Sequence, residues 1–248
     1  MRLDIGSARR FDSHFISDTV EPIDVLRIAQ GLFLRFPPGR VGRWAVLRSV
    51  GTGIPGECVE ASADPVSAAA PGGATWRLAV RTDPDFAMSV AVPGALGLSG
   101  DLASLPEPMR RRIAWYVAFN KRWRRFLSDA AVHLLTPAAP IEDRRGWVAF
   151  QFQNADRSVS LVFAYQLGDG SDTGTFRLFD LDPGAAYAVR REGPDGGTIE
   201  RRSGAGLSED GLSVRLEGGF HAERRAAVFS VRRAPAQQGG SSCLTAER

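Results

Sequence analysis

A carboxylate at a strand-to-helix junction is the residue of this sequence best placed to do chemistry. In the segment Phe11 to Gly31, the run His14-Phe15-Ile16 suits a short buried strand, Ser17 and Asp18 follow it, and Pro22 is fit for a first helical turn, where a missing N–H costs nothing. Ile23, Leu26, Ile28 and Ala29 then recur at roughly helical spacing before Gly31. In parallel β/α architectures the C-terminal strand ends carry the reacting groups, which makes Asp18 a candidate catalytic residue. The structural alternative is that Asp18 or Ser17 caps the helix by accepting backbone N–H bonds.

Other chemistries lack an anchor. There is no HExxH, no GxxxxGK[ST] loop and no GxSxG elbow, and Gly51-Thr52-Gly53 is not a phosphate cradle. His133 has no second histidine or cysteine at metal-binding spacing, so no metal site is expected. Cys58 and Cys243 do not form a disulfide framework, which points to a reducing, cytoplasmic setting. Trp44 could stack on a sugar, but inside the apolar run Trp44 to Leu47 it reads as core.

The 248 residues, 44% hydrophobic, can supply a sizeable core. Net charge is +3, and Lys121 is the only lysine among 31 basic residues. That ratio, with abundant Ala, Gly and Pro, reads as genomic codon bias rather than a polyanion-binding surface, and no nucleic-acid-binding motif accompanies the arginines. No apolar run approaches the roughly 20 residues of a membrane span, and the N-terminus lacks a secretory pattern, so no membrane association is expected.

The elements that must position Asp18 follow in order. Residues 51 to 74 read as a loop, and Phe86 to Val92 as a strand followed by turn glycines Gly94, Gly97 and Gly100. Ser104 to Leu127 reads as a helix, with a Ser104/Glu107 capping box, an apolar stripe through Met109, Ile113, Tyr116, Val117, Trp123 and Leu127, and solvated arginines elsewhere. Thr136 to Pro140 marks a domain boundary. Beyond it, strand runs at 147–152, 158–165, 175–179, 187–191, 212–216 and 226–232 alternate with turns in a β-sandwich pattern. Residues 235 to 248 read as a disordered tail.

Arg2-Leu3-Asp4, with Ser17-Asp18 completed sixteen residues after Arg2 and then Val20 to Gly31, resembles the segment around the acid/base aspartate of family 36 glycoside hydrolases, the α-galactosidases or melibiases. Leu178 to Pro183 followed by Tyr187 resembles a segment of that family's C-terminal β domain, with Asp180 where the family has glycine. The family commonly has Trp where Phe15 stands, and Asp or Asn where Thr19 stands. The resemblance implies that Asp18 is the general acid/base, that Arg2, Asp4, His14 and Ser17 contact substrate, and that no metal or organic cofactor is needed. It implies an α/β plus all-β chain: closing β/α units of a (β/α)8 barrel at 1–135, then an antiparallel β-sandwich at 136–234. A proton donor of this kind would be served by an apolar wall, such as Phe15, and by a second carboxylate nearby.

The implied function is a retaining α-galactosidase acting on terminal α-galactosides of oligosaccharides. This chain would supply its C-terminal portion with the acid/base. No segment resembles the family's Lys-x-Asp nucleophile motif, so the isolated chain is expected to be inactive. The alternative is a non-catalytic carbohydrate-binding or assembly protein derived from such an enzyme. A homo-oligomer stays open.

Overall fold

The structure, a computed structural model, describes residues 13–50, 68–72, 75–168, 171–216 and 224–235. Arg2, Asp4, Cys58, Cys243 and residues 236–248 lie outside the described residues. Strand β1 (His14–Phe15) leads through a turn into helix α1 (Pro22–Phe33). It pairs in parallel with β2 (Val41–Val46), which pairs in parallel with β6 (Ala95–Ser99). Between β2 and β6 lie a small antiparallel sheet of β3 (Arg48–Ser49), β4 (Ala68–Gly72) and β5 (Thr75–Thr82), then helix α2 (Pro84–Ala91). Residues 68–72 of the expected loop are thus a strand, while 51–67 lie outside the described residues.

Parallel strands joined by helices bury one face beneath those helices. Val41 and Ala45 of β2 enter a core with Ile23 and Leu26 of α1 and Phe86 and Met88 of α2. Arg43 lies between them on the same face and is fully buried, its guanidinium 4.6 Å from the centre of the Phe33 ring. Burial lowers that guanidinium to about 10. Trp44, expected as core, lies on the opposite face of the strand, half-buried over Gly97, where an added Cβ would come within 2.5 Å of the indole.

The run Phe86 to Val92, expected as a strand, forms the body of α2. Asp83 accepts N–H bonds from Asp85 (2.7 Å) and Phe86 (3.3 Å), and Pro84 occupies the first turn, so the chain starts a helix there. Every residue of α2 except Asp85 is buried, so the helix is apolar nearly all round and carries no helical period. The third parallel strand is β6, nine residues further on, and Gly97 lies within it rather than in a turn.

Helix α3 (Glu107–Asp129) buries Met109, Ile113, Tyr116, Phe119, Trp123 and Leu127. The Ser104/Glu107 capping box does not form. Pro106 is the N-cap residue, the Ser104 hydroxyl donates to the Asp101 carbonyl, and Glu107 pairs with Arg110 and Arg111. Nor is every arginine of this helix solvated, because Arg112 is largely buried between Asp85 and Asp195.

After α3 come β7 (Ala131–Leu134), β8 (Gly146–Gln153), β9 (Val159–Leu167), β10 (Thr173–Phe176), β11 (Ala186–Glu192), β12 (Ile199–Ser203), α4 (Gly204–Glu209), β13 (Leu212–Arg215) and β14 (Arg224–Arg233). Six of the strands form one antiparallel sheet in the order β12-β11-β14-β9-β8-β7, and β10 pairs with β13. Phe150, Phe152, Phe163 and Tyr165 project from one face into the core shared with the helices, where Phe33 meets Phe150 and Phe152 edge-on at 5.5 Å each. Ala149, Val162, Ala164 and Val231 project from the other face, over Phe176, Leu207, Leu212 and Val214. Within this six-stranded sheet the sequence carries no strand signal for β7, the edge of the sheet, or for β12, whose residues are mostly exposed.

Burial, and secondarily the neighbouring Asp85 charge, pushes the Asp83 carboxyl up to about 6 from the ordinary 3.8. The folded chain therefore holds this proton more tightly than the unfolded chain, and the stability it contributes at low pH is lost as pH rises from about 3.8 to about 6. Asp83→Asn keeps a capping side chain, so it is expected to reduce that fall in stability by about 1 to 3 kcal/mol, read from urea denaturation at about pH 4 and pH 7. The same pH slope in both proteins would contradict it.

Candidate active site

The parallel ladder between β1 and β2 continues one residue past β1, because the Ile16 N–H donates to the Gly42 carbonyl at 3.0 Å. The chain then leaves the sheet, and Ser17 and Asp18 stand in the turn before α1, both exposed. The Ser17 hydroxyl accepts from the Thr19 N–H (3.2 Å) and lies 2.7 Å from the Thr19 hydroxyl, which closes the turn locally. Asp18 does not cap the helix: Glu21 is the N-cap residue, and no side chain bonds the first-turn N–H groups. Asp18 makes no hydrogen bond with another described residue, so its carboxylate is uncommitted among them.

His14 is half-buried and packs on Phe36, with ring centres 4.0 Å apart. Phe15 projects from the other face of β1, 70% exposed, with its ring over Gly42, where an added Cβ would lie 2.4 Å from it. Phe15 and Trp44 line a groove of about 620 Å³ with Gly97, Asn120, Arg124 and Leu127, and Asp18 is not among its lining residues. The turn therefore brings Ser17 and Asp18 together, while His14 is engaged by Phe36, and Phe15 lines a groove that leaves Asp18 out.

What fixes this turn is a feature that apolar spacing did not disclose. Glu21, Asp24, Arg27 and Gln30 recur every three residues, and all four are buried. Arg144 pairs with both Glu21 and Asp24, and Arg224 pairs with Glu21 at 3.0 Å. The Arg27 guanidinium donates to the Asp143 and Arg145 carbonyls (2.9 and 3.1 Å), and Gln30 donates to the Pro137 carbonyl at 3.2 Å. Burial raises the Asp24 carboxyl, with Arg144 opposing the shift and Glu21 adding to it, and burial lowers the Arg27 guanidinium. Polar residues at a strict three-residue spacing inside an apolar helix are the signal that could have found this ridge.

Residues 147–227 match the family model described as the glycosyl hydrolase family 36 C-terminal domain. About a third of the chain is thus similar to that C-terminal domain. A search of curated proteins finds no match. Among solved structures, the family 36 α-galactosidase AgaB from Geobacillus stearothermophilus superposes with a TM-score of 0.61 at 22% identity, over 88% of this chain and 25% of that one. The galactosidase domain of the α-galactosidase-sucrose kinase AgaSK gives 0.65 at 19% identity, over 94% and 27%. The α-galactosidase from Lactobacillus brevis gives 0.63 at 18%, over 88% and 26%. At these identities the likeness is one of fold, and the chain spans about a quarter of the length of these relatives. Arg144 lies just before the matched segment and Arg224 within it, so that segment and its N-terminal margin grip the helix behind the Asp18 turn.

Removing one partner of a buried ion pair strands the other charge, at a cost of about 3 to 5 kcal/mol when both are fully buried. The Arg144 side chain is 40% exposed, so Arg144→Ala is expected to lower stability by less, about 2 kcal/mol, measured by urea denaturation. No change in the midpoint would show that Arg224 alone holds the two carboxylates.

Proposed function

We propose that this chain is the C-terminal portion of a retaining α-galactosidase, in which residues 1–135 are closing β/α units of a (β/α)8 barrel and residues 136–234 its C-terminal β-sandwich. Asp18 is its general acid/base. The observation that carries the assignment is that Asp18 stands in the turn just past a parallel strand, with a carboxylate that is exposed and not used as a helix cap. The likeness of residues 147–227 to the family 36 C-terminal domain supports it. So do the relatives, two of whose structures are described as complexes with raffinose and with stachyose.

Retaining hydrolysis needs two carboxyl groups about 5 to 5.5 Å apart. One attacks the anomeric carbon and forms a glycosyl-enzyme ester as the glycosidic bond breaks. The other protonates the departing oxygen, then takes a proton from the water that cleaves the ester. Asp18 has the second role, and a carboxylate from elsewhere in the barrel has the first. The groove at Phe15 and Trp44 opens beside the starts of β2 and β6 and is not assigned to the sugar undergoing cleavage.

The purified 248-residue chain is expected not to hydrolyse an aryl α-galactoside. Turnover that survives Asp18→Asn would remove Asp18 from the mechanism. In a complete enzyme containing this stretch, Asp18→Asn abolishes turnover of poor leaving groups, while an activated aryl galactoside still forms the covalent intermediate. Equal loss on both substrates, seen in pre-steady-state release of the aryl group, would contradict the acid/base role.

A further inference from the structure

Away from the Asp18 turn, the segment between β10 and β11 presents an aromatic ring to solvent and holds it there. Phe179 is 50% exposed, although the Leu178 and Leu181 side chains around it are buried. The backbone beneath it is gripped by two buried glutamines of β8. Gln151 accepts from the Phe179 N–H (2.8 Å) and donates to the Phe179 carbonyl (3.0 Å). Gln153 donates to the Phe179 and Asp180 carbonyls (3.4 and 3.3 Å). Asp180 is held at a φ of +54°, a left-handed conformation that side chains adopt at some cost. These buried amide side chains fix the backbone from which the ring projects.

The chemistry around the ring is specific. His133 of edge strand β7 sits directly across from Gln151, and its imidazole stacks on Phe179 at 5.4 Å and 19°. Its Nε2 lies 4.0 Å from the Asp180 carboxylate, whose side chain is 51% exposed. One aromatic face is thus backed by imidazole, and an exposed carboxylate acceptor stands at its rim. A pyranose has a C–H-rich face that packs on an aromatic ring and hydroxyls at its edge that donate to a carboxylate.

We propose that Phe179, Asp180 and His133 form a saccharide-binding platform on the β-rich domain, distinct from the Asp18 turn. It binds one pyranoside unit of an α-galactoside weakly and contributes no reacting group. The assignment does not depend on Asp18 being the acid/base.

The test is an amide-shift NMR titration of the full chain with methyl α-galactopyranoside at millimolar concentrations. Saturable shifts centred on residues 133 and 178–181 are expected. Phe179→Ala, exposed and so able to fold, should weaken the binding by about tenfold or more, and Asp180→Gly, which tolerates the same φ, by several-fold. Asp18→Asn should leave it unchanged. The proposal is overturned by no saturable shift at these residues, by wild-type binding in Phe179→Ala with an unchanged melting temperature, or by loss of the shifts in Asp18→Asn.

Discussion

Two buried carboxylates on one helix, Glu21 and Asp24, set the geometry from which the rest follows. Burying them is tolerable only because Arg144 and Arg224 reach them from the β-rich part of the chain. A network of this kind adds little net stability over an apolar interface, but it admits few alternative registers, since any slip leaves a charge buried and unpaired. Glu21 is also the N-cap residue of α1, three positions after Asp18. The residues that clamp the helix therefore clamp the turn in which Asp18 stands, and the β-rich domain acts on the candidate site without touching it.

The six-stranded sheet is the second constraint, because it is a wall with two occupied faces. Its large aromatic residues fill the core beneath the helices, while alanines and valines alternate with them to meet β10, β13 and α4. Neither layer could be removed without exposing a full face of the other. The parallel strands and the β-rich domain are accordingly joined through a common core as well as through the ion network.

Legibility in the sequence followed the periodicity each element could keep. In β8 and β9, Phe150, Phe152, Leu161 and Phe163 alternate cleanly because each sheet face meets a different layer, and the α3 stripe was readable because one side of that helix meets solvent. Helix α2 was not readable, since burial on nearly every side erased its period, nor was β12, an outer strand with mostly exposed polar residues. Asp180 at positive φ makes physical sense of the glycine that the similar family segment has there. The Asp18 turn was visible as a junction. The ridge that holds it was hidden because its partners lie more than a hundred residues away, at Arg144 and Arg224.

Asp18 is proposed as one of two carboxyl groups that flank the scissile bond of an α-galactoside. That role is tested most directly by a crystal structure of this stretch within a complete barrel, with a galactose-configured inhibitor bound. The Asp18 carboxyl is expected on the leaving-group side of the anomeric carbon, about 5 to 5.5 Å from a second carboxylate on the opposite face. A separation of about 6.5 Å or more, or an Asp18 side chain turned away from the sugar, would contradict it.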